Sequence, residues 1–467
     1  MPTLSGSLIL SSGSLTLENG SLELLNGSLS GTSSFATTAS YAVTASYALN
    51  GGGGGGPAFP FTGSAQITGS LGVTGSINGL NLGLGAGSIS SNIALGINPL
   101  NQNTTGNYNV ALGSLPLNQN TTGNNNTALG NQALRFNSVG NNNIALGQSA
   151  LQSNTSGSSN IALGFNALKY NTTGESNVAL GYRALVNNTT GFFNVALGQD
   201  VLYNNTAGQY NVALGKSSMV NNLTGGNNVA LGQNALYSNT SGNQNIALGL
   251  NALYNNSVGL HNIALGNDSL KQNTSGSNNI ALGRYALRDT TTGNSNVALG
   301  YGTLKLNTTG DYNVALGLSA LQSNTTGNQN VALGYLTLQS NTLGSSNIAL
   351  GGFALANNST GNYNVALGTS ALYQNSVGGT NVAVGQSAFL DNISGSNNTG
   401  VGWNIGTGDF SGSLVLGAGA TATANGQLAL GSSTTPLGPV ASEVSASSTH
   451  TLAINLNGNI YRLLMVQ

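Results

Sequence analysis

Asn109–Asn125 reads NVALGSLPLNQNTTGNN, and Asn126–Asn142 reads NTALGNQALRFNSVGNN. The same sentence keeps returning: the Ala of NVALG or its equivalent stands at every seventeenth position from Ala94 to Ala383, and Gly400 takes its place in a nineteenth copy. No insertion or deletion interrupts the series. Connecting loops tolerate changes of length, so a period held this long means that each residue of the unit is placed by its neighbours in the adjoining units. An active site needs unique residues in unique places. A chain that repeats itself specifies a built object.

Within the unit some columns hardly vary. Asn stands two before the Ala in all nineteen copies: Asn92, Asn109, Asn126, Asn143, Asn160, Asn177, Asn194, Asn211, Asn228, Asn245, Asn262, Asn279, Asn296, Asn313, Asn330, Asn347, Asn364, Asn381 and Asn398. Val or Ile, with a few Thr, precedes the Ala; Leu or Val follows it, and Gly comes next. Six after the Ala is Leu, except for Met219 and Phe389, and nine after it is Asn, except for Thr290. Twelve after it is Gly in all eighteen complete units, starting with Gly106, Gly123, Gly140, Gly157, Gly174 and Gly191. Six other columns accept nearly anything.

Two Gly and several Asn, Thr and Ser per unit oppose a helix by about 0.5–1 kcal/mol each. NVALG reads instead as a short strand, with Val and Leu on one face and Asn, Ala and Gly on the other. A second short extended segment is expected at the Ala-Leu pair, and NTTG is expected to turn the chain, its Gly supplying a positive φ. One unit is then one coil of a β-solenoid, and the fold class is all-β. Stacked in register, each Asn amide donates to the amide one coil away, as in ladders of identical strands. The small Ala and Gly side of the strand is suited to close approach by another backbone, so homo-oligomerisation is expected.

All fourteen charged residues between Asn92 and Trp403, and all thirteen tyrosines of that span, fall in the six variable columns. Charges avoid burial, so these columns face water. The column seven after the Ala collects Arg135, Lys169, Lys271, Arg288 and Lys305 with Tyr203, Tyr237, Tyr254 and Tyr373. Stacked at coil spacing they form an amphipathic stripe. It is either a candidate surface for glycan or peptide or a solvated face whose long side chains cover apolar surface beneath.

Composition excludes several classes. Among 467 residues there are 70 Gly, no Cys and 4% charged residues, with a net charge of −1. No basic field draws in nucleic acid or an anionic membrane, no thiol supports a disulfide or a Cys-ligated metal, and no apolar run is long enough to span a membrane as a helix. The start, MPTLSGSLILSSGS, lacks the pattern of a secretion signal, which leads us to expect synthesis in a cytoplasm. His261 and His450 are the only histidines, and the acids are scattered. Neither a catalytic grouping nor a metal or cofactor site is expected, and the chain reads as a non-enzyme.

Outside the units the chain changes character. Residues 1–50 repeat GSL every seven residues and then SFA, SYA, SYA; residues 51–57 are a Gly-rich hinge; residues 58–87 carry TGS every six residues as a β stalk. After the seventeen-residue solenoid of 88–406 come shorter coils at 407–441, where Val415 and Ala429 stand fourteen apart in matching contexts. Residues 442–467 end in THTLAINLNGNIYRLLMV, which reads as a hairpin around Asn457 and Gly458 and is expected to cover the open edge of the last coil.

The NVALG, SLVLG and QLALG units, with their Gly-ended strands and the fourteen-residue step, resemble the head repeats of YadA-like trimeric adhesins over residues 88–431. That resemblance implies left-handed parallel β-rolls built from three chains that bind host surface components. Two departures stand against it: the period here is mainly seventeen rather than fourteen, and the membrane-anchor β-barrel of such adhesins is not seen. TASYAVTASYALN, FTGSAQITGSLGVTGSING, the tandem NTTG-containing ALG units and THTLAINLNGNIYRLL together resemble pieces of tailed-bacteriophage fibre proteins. The second resemblance implies a homotrimer that is attached to the virion or baseplate through its N-terminal part and meets a host surface glycan or protein with its distal part. A purely structural extracellular filament without its own ligand is the alternative. A fibre-borne depolymerase is disfavoured, because no carboxylate cleft is legible.

Overall fold

The computed structural model describes residues 76–77, 80–431, 451–456 and 459–464. The GSL and SYA repeats, the 51–57 hinge, most of the 58–87 stalk and the turn residues Asn457 and Gly458 lie outside the described residues.

Each unit contributes one strand. The series opens with β3 (Ile93–Ile97), closes with β23 (Leu428–Leu430) and comprises 21 parallel strands in a single sheet. Pairing is in register throughout: Val212, Ala213 and Leu214 lie beside Val229, Ala230 and Leu231 of the next coil. At about 4.8 Å per strand step, roughly 20 steps make a solenoid section about 95 Å long. The fold class and the seventeen-residue coil are as the periodicity predicts.

The side-chain alternation is also as expected, but the inward face differs from the one assumed for oligomerisation. The strand Ala is fully buried in nearly every coil, as at Ala196, Ala213 and Ala230, whereas the flanking Val or Ile and Leu face outward. The small side of NVALG is therefore the core and is not open to another backbone. It packs against the buried Ala five after the strand Ala and the Leu six after it, as with Ala235 and Leu236. In most coils only one large apolar side chain is fully buried, although the coil of Val201 and Leu202 holds two.

The Ala-Leu segment is not extended either. It is a run of turns, and the buried Leu adopts φ near +50°, as at Leu134, Leu168 and Leu236. A left-handed non-Gly residue costs about 1–2 kcal/mol, while burying a Leu returns about 1.5–3 kcal/mol, so the core contact sustains the bend. Backbone bonds between coils still run through this segment, with Leu134 N–H donating to Ala150 O at 2.9 Å.

The NTTG glycines require a second correction. No positive φ is found at Gly106, Gly123, Gly140, Gly157, Gly174 or Gly191. They are glycine for lack of room: a Cβ on Gly191 would stand 2.5 Å from Gly208 O and would overlap Asn188 Oδ1. The positive φ falls instead on the Gly that ends the strand, as at Gly181 with φ of 136°.

Two exceptions in the repeat turn out to be partners. Phe389 replaces the buried Leu, and the next coil has Gly400 in place of the strand Ala. A Cβ at Gly400 would overlap Phe389 Cζ, so the ring fills the space of the missing methyl. We expect Gly400→Ala to destabilise the coil by about 1–2 kcal/mol through overpacking, and Phe389→Leu to restore most of that loss. Urea unfolding of the two single variants and the double variant measures the coupling, and strictly additive effects would refute the pairing.

The ends differ. β1 (Ser76–Ile77) pairs antiparallel with β2 (Leu80–Gly83), and β2 pairs antiparallel with β3 through Asn81–Gly96, Leu82–Leu95 and Gly83–Ala94. Part of the expected stalk thus joins the sheet and occupies the first coil's edge. Towards the other end, Gly400 pairs with Val415 and Val415 with Ala429, so the coil shortens as the fourteen-residue spacing predicts. The final hairpin forms between β24 (Thr451–Leu456) and β25 (Asn459–Leu464). Among the described residues these two strands pair only with each other, in a sheet separate from the solenoid's.

Candidate functional site

Inside the solenoid the polar columns are structural. Asn194 is typical: its backbone N–H donates to Asn177 Oδ1 at 3.0 Å, and its Nδ2 donates to Asn177 Oδ1 at 3.1 Å and to Gly208 O at 2.8 Å. The expected ladder exists, but it ties the side chain to the backbone as much as to the next amide. A second ladder, nine after the Ala, was not singled out from the sequence, although its near invariance was the signal. There Asn205 Nδ2 donates to Asn188 Oδ1 at 2.7 Å and to Gly208 O at 3.2 Å. Gly208 O therefore accepts from both ladders, which explains why Asn and Gly recur at fixed spacing. Buried amides stay this cheap only when their donors and acceptors are matched.

Outside, the nine residues of the predicted stripe all lie half-buried on the flank formed by the turn after the strand. They do not stand alone. The columns three, four and eight after the Ala project beside them, and the groups formed between columns were missed because each column was considered singly. Tyr237 and Tyr254 stack at 5.0 Å and 4°. Tyr203 lies under Arg183, whose guanidinium also covers Tyr182 at 4.8 Å, and Tyr182 stacks on Phe165 at 5.5 Å. Tyr373 meets Phe353, which meets Tyr335 edge-on. Lys169 covers Tyr170, and Arg135 covers Phe136. Arg288 and Lys305 lie over Tyr285, Arg288 also pairs with Asp289, and Lys271 pairs with Asp268. On the opposite turn Phe193 stacks on Tyr210 at 5.2 Å, with Phe192 edge-on to both.

Ion pairs order this flank. Arg183 Nε meets Asp200 Oδ1 of the next coil at 2.8 Å, and the Asp200 hydrogen bond raises the arginine's pKa against the opposing effect of desolvation. Partial burial alone would raise the Asp268 carboxyl. Hydrogen bonds from Lys271 and Asn251, with the charges of Lys271 and Arg284, together outweigh it and hold the group below its usual value. Asp268 accordingly stays ionised at neutral pH, and its pairing weakens only as pH falls through that depressed value.

His261 is exposed on the opposite turn. Among the described residues no three His, Cys, Asp or Glu side chains are grouped to hold a metal ion. What the flank offers is flat aromatic surface interleaved with a few cations. No family model matches the chain, and no curated protein matches it in sequence.

Proposed function

We propose that this chain is the fibre protein of a tailed phage or related particle, a homotrimer held to the particle by its N-terminal part and adhering to a host surface glycan or protein. The observation that carries the reading is the outward face of the sheet. Val or Ile and Leu repeat there from coil to coil with little interruption, and several stand well exposed, such as Leu316 at 44% and Leu350 at 39%. Soluble monomers rarely present a long contiguous apolar surface. A partner that covers this face along its length must repeat at the same coil spacing, and another copy of the chain does so by construction. The Val and Leu side thus takes the role that the sequence reading gave to the Ala side.

Self-association along parallel rods gives a stiff spacer and leaves the aromatic flank to meet a surface. The test joins mass to adhesion. The wild-type chain is expected at about three times its 46.6 kDa mass in solution and to bind cells of at least one bacterial strain in a panel. Leu316→Glu with Leu350→Glu should lower the mass towards a single chain. A wild-type mass of one chain would remove the trimer. Binding to no strain would leave the ligand-free spacer.

A further inference from the structure

The nine Lys and Arg residues are unevenly spread. Four of them, Lys271, Arg284, Arg288 and Lys305, fall in three successive coils on the same flank. The two carboxylates beside them are already engaged: Asp268 with Lys271 at 2.9 Å, and Asp289 with Arg288 in a two-bonded pair at 2.7 and 2.6 Å. Among the described residues, no carboxylate pairs with Arg284 or Lys305. Both cations lean on one ring, Arg284 Cζ at 4.5 Å and Lys305 Nζ at 5.6 Å from the centroid of Tyr285. Arg284 Nη2 also donates to Tyr285 Oη at 2.5 Å. Tyr301 stands edge-on to Tyr285 at 5.7 Å and is 49% exposed.

The geometry points to a binding site for an acidic sugar residue of an extended anionic glycan. Arg284 and Lys305 take its carboxylate or sulfate, and the exposed Tyr301 ring lies against the apolar face of the pyranose. A guanidinium and an ammonium fixed against an aromatic ring are suited to one such oxyanion, and a tyrosine offers a flat apolar body with a hydrogen-bonding tip. A polynucleotide fits poorly, because its phosphates recur every ~3.4 Å along a strand and two cations outside any ion pair, flanked by Asp268 and Asp289, do not match that density. Rings continue along the flank on both sides, with the Tyr237–Tyr254 stack before the charged coils and Tyr335, Phe353 and Tyr373 after them. The intervals from Tyr254 to Tyr335 span five coils, about 24 Å at the strand spacing, which suits a chain of several sugars lying along the rod.

The inference rests on the adhesive reading above and specifies its ligand. The test is calorimetric titration of the full chain at low salt with decasaccharides of hyaluronan, alginate and heparin. A neutral cello-oligosaccharide and a ten-residue oligothymidylate serve as comparisons. Binding of a carboxylated or sulfated glycan is expected, weakening as salt rises, with at least a ten-fold loss in Arg284→Gln/Lys305→Gln and in Tyr301→Ala at unchanged melting temperature. Equal binding of the neutral sugar, equal binding of oligothymidylate, no binding of any acidic glycan, or full retention in the variants would each overturn it. Cell binding separates the two readings. Glycan binding without adhesion to any strain upholds this site and sinks the attachment role, whereas adhesion by a wild type that binds no acidic glycan does the reverse.

Discussion

Gly191→Ala is expected to be among the most damaging single-methyl substitutions in the solenoid, costing about 3–5 kcal/mol. The backbone at Gly191 is conformationally ordinary, so the penalty is one of space. The added Cβ would stand 2.5 Å from Gly208 O and 2.8 Å from Asn205 Nδ2. Relief requires the coils to part, which breaks the bonds between them, Asn205 Nδ2 to Asn188 Oδ1 at 2.7 Å and Gly191 N–H to Thr206 O at 3.2 Å. Gly302 makes the contrast. It does have positive φ, 64°, but the nearest atom to an added Cβ is Ser319 Oγ at 3.6 Å, and the same column elsewhere holds Asn166, Asn234 and Asn251 in the same conformation. Gly302→Asn is therefore expected to lie within about 0.5 kcal/mol of wild type, since Asn tolerates the left-handed region. Urea unfolding with site-resolved hydrogen exchange reads both, because a repeat array confines damage to neighbouring coils. A Gly191→Ala chain as stable as wild type would refute the close-approach account.

Those two glycines mark where sequence reading stops. The period, the strand and its alternation were legible because they are properties of spacing alone. The reason for an invariant Gly was not, since a positive φ and a missing gap leave the same letter. The inward face was misjudged for a related reason: Val and Leu are the larger apolar residues and appear destined for the core, yet a coil this narrow holds only Ala from the strand, with one left-handed Leu to fill the interior. On the flank, the column seven after the Ala was legible from its charge and tyrosine content. Its company was not, because Tyr285 and Tyr301 belong to other columns, and Tyr285 meets Arg288, Lys305 and Tyr301 only once the turn is folded.

Thr290 is the one break in the second ladder, and it should be the weakest joint inside the rod. Asn273 Oδ1 and Thr290 Oγ1 are both buried without a hydrogen-bond partner, and Asn307 Nδ2 reaches only its own coil's Gly310 O, at 2.9 Å. Elsewhere the column is continuous, as in Asn188 Nδ2 to Asn171 Oδ1 at 2.7 Å and Asn324 Nδ2 to Asn307 Oδ1 at 2.7 Å. Each orphaned buried group costs about 1–3 kcal/mol. Thr290→Asn restores a donor to Asn273 and an acceptor for Asn307 and is expected to stabilise the chain by about 1–3 kcal/mol. Asn188→Thr creates the same defect in an intact stretch, removing the bonds to Asn171 Oδ1 and Gly191 O, and should cost about 2–4 kcal/mol. Hydrogen exchange in the wild type should be fastest, among interior coils, at those flanking Thr290, and Thr290→Asn should slow it there alone. Because Thr290 is buried while Arg284, Tyr301 and Lys305 lie on the outer flank, glycan affinity should not follow the change in stability. If Thr290→Asn leaves exchange and unfolding unchanged, unpaired amides are not what limits the rod, and the stacking of its backbones alone sets its strength.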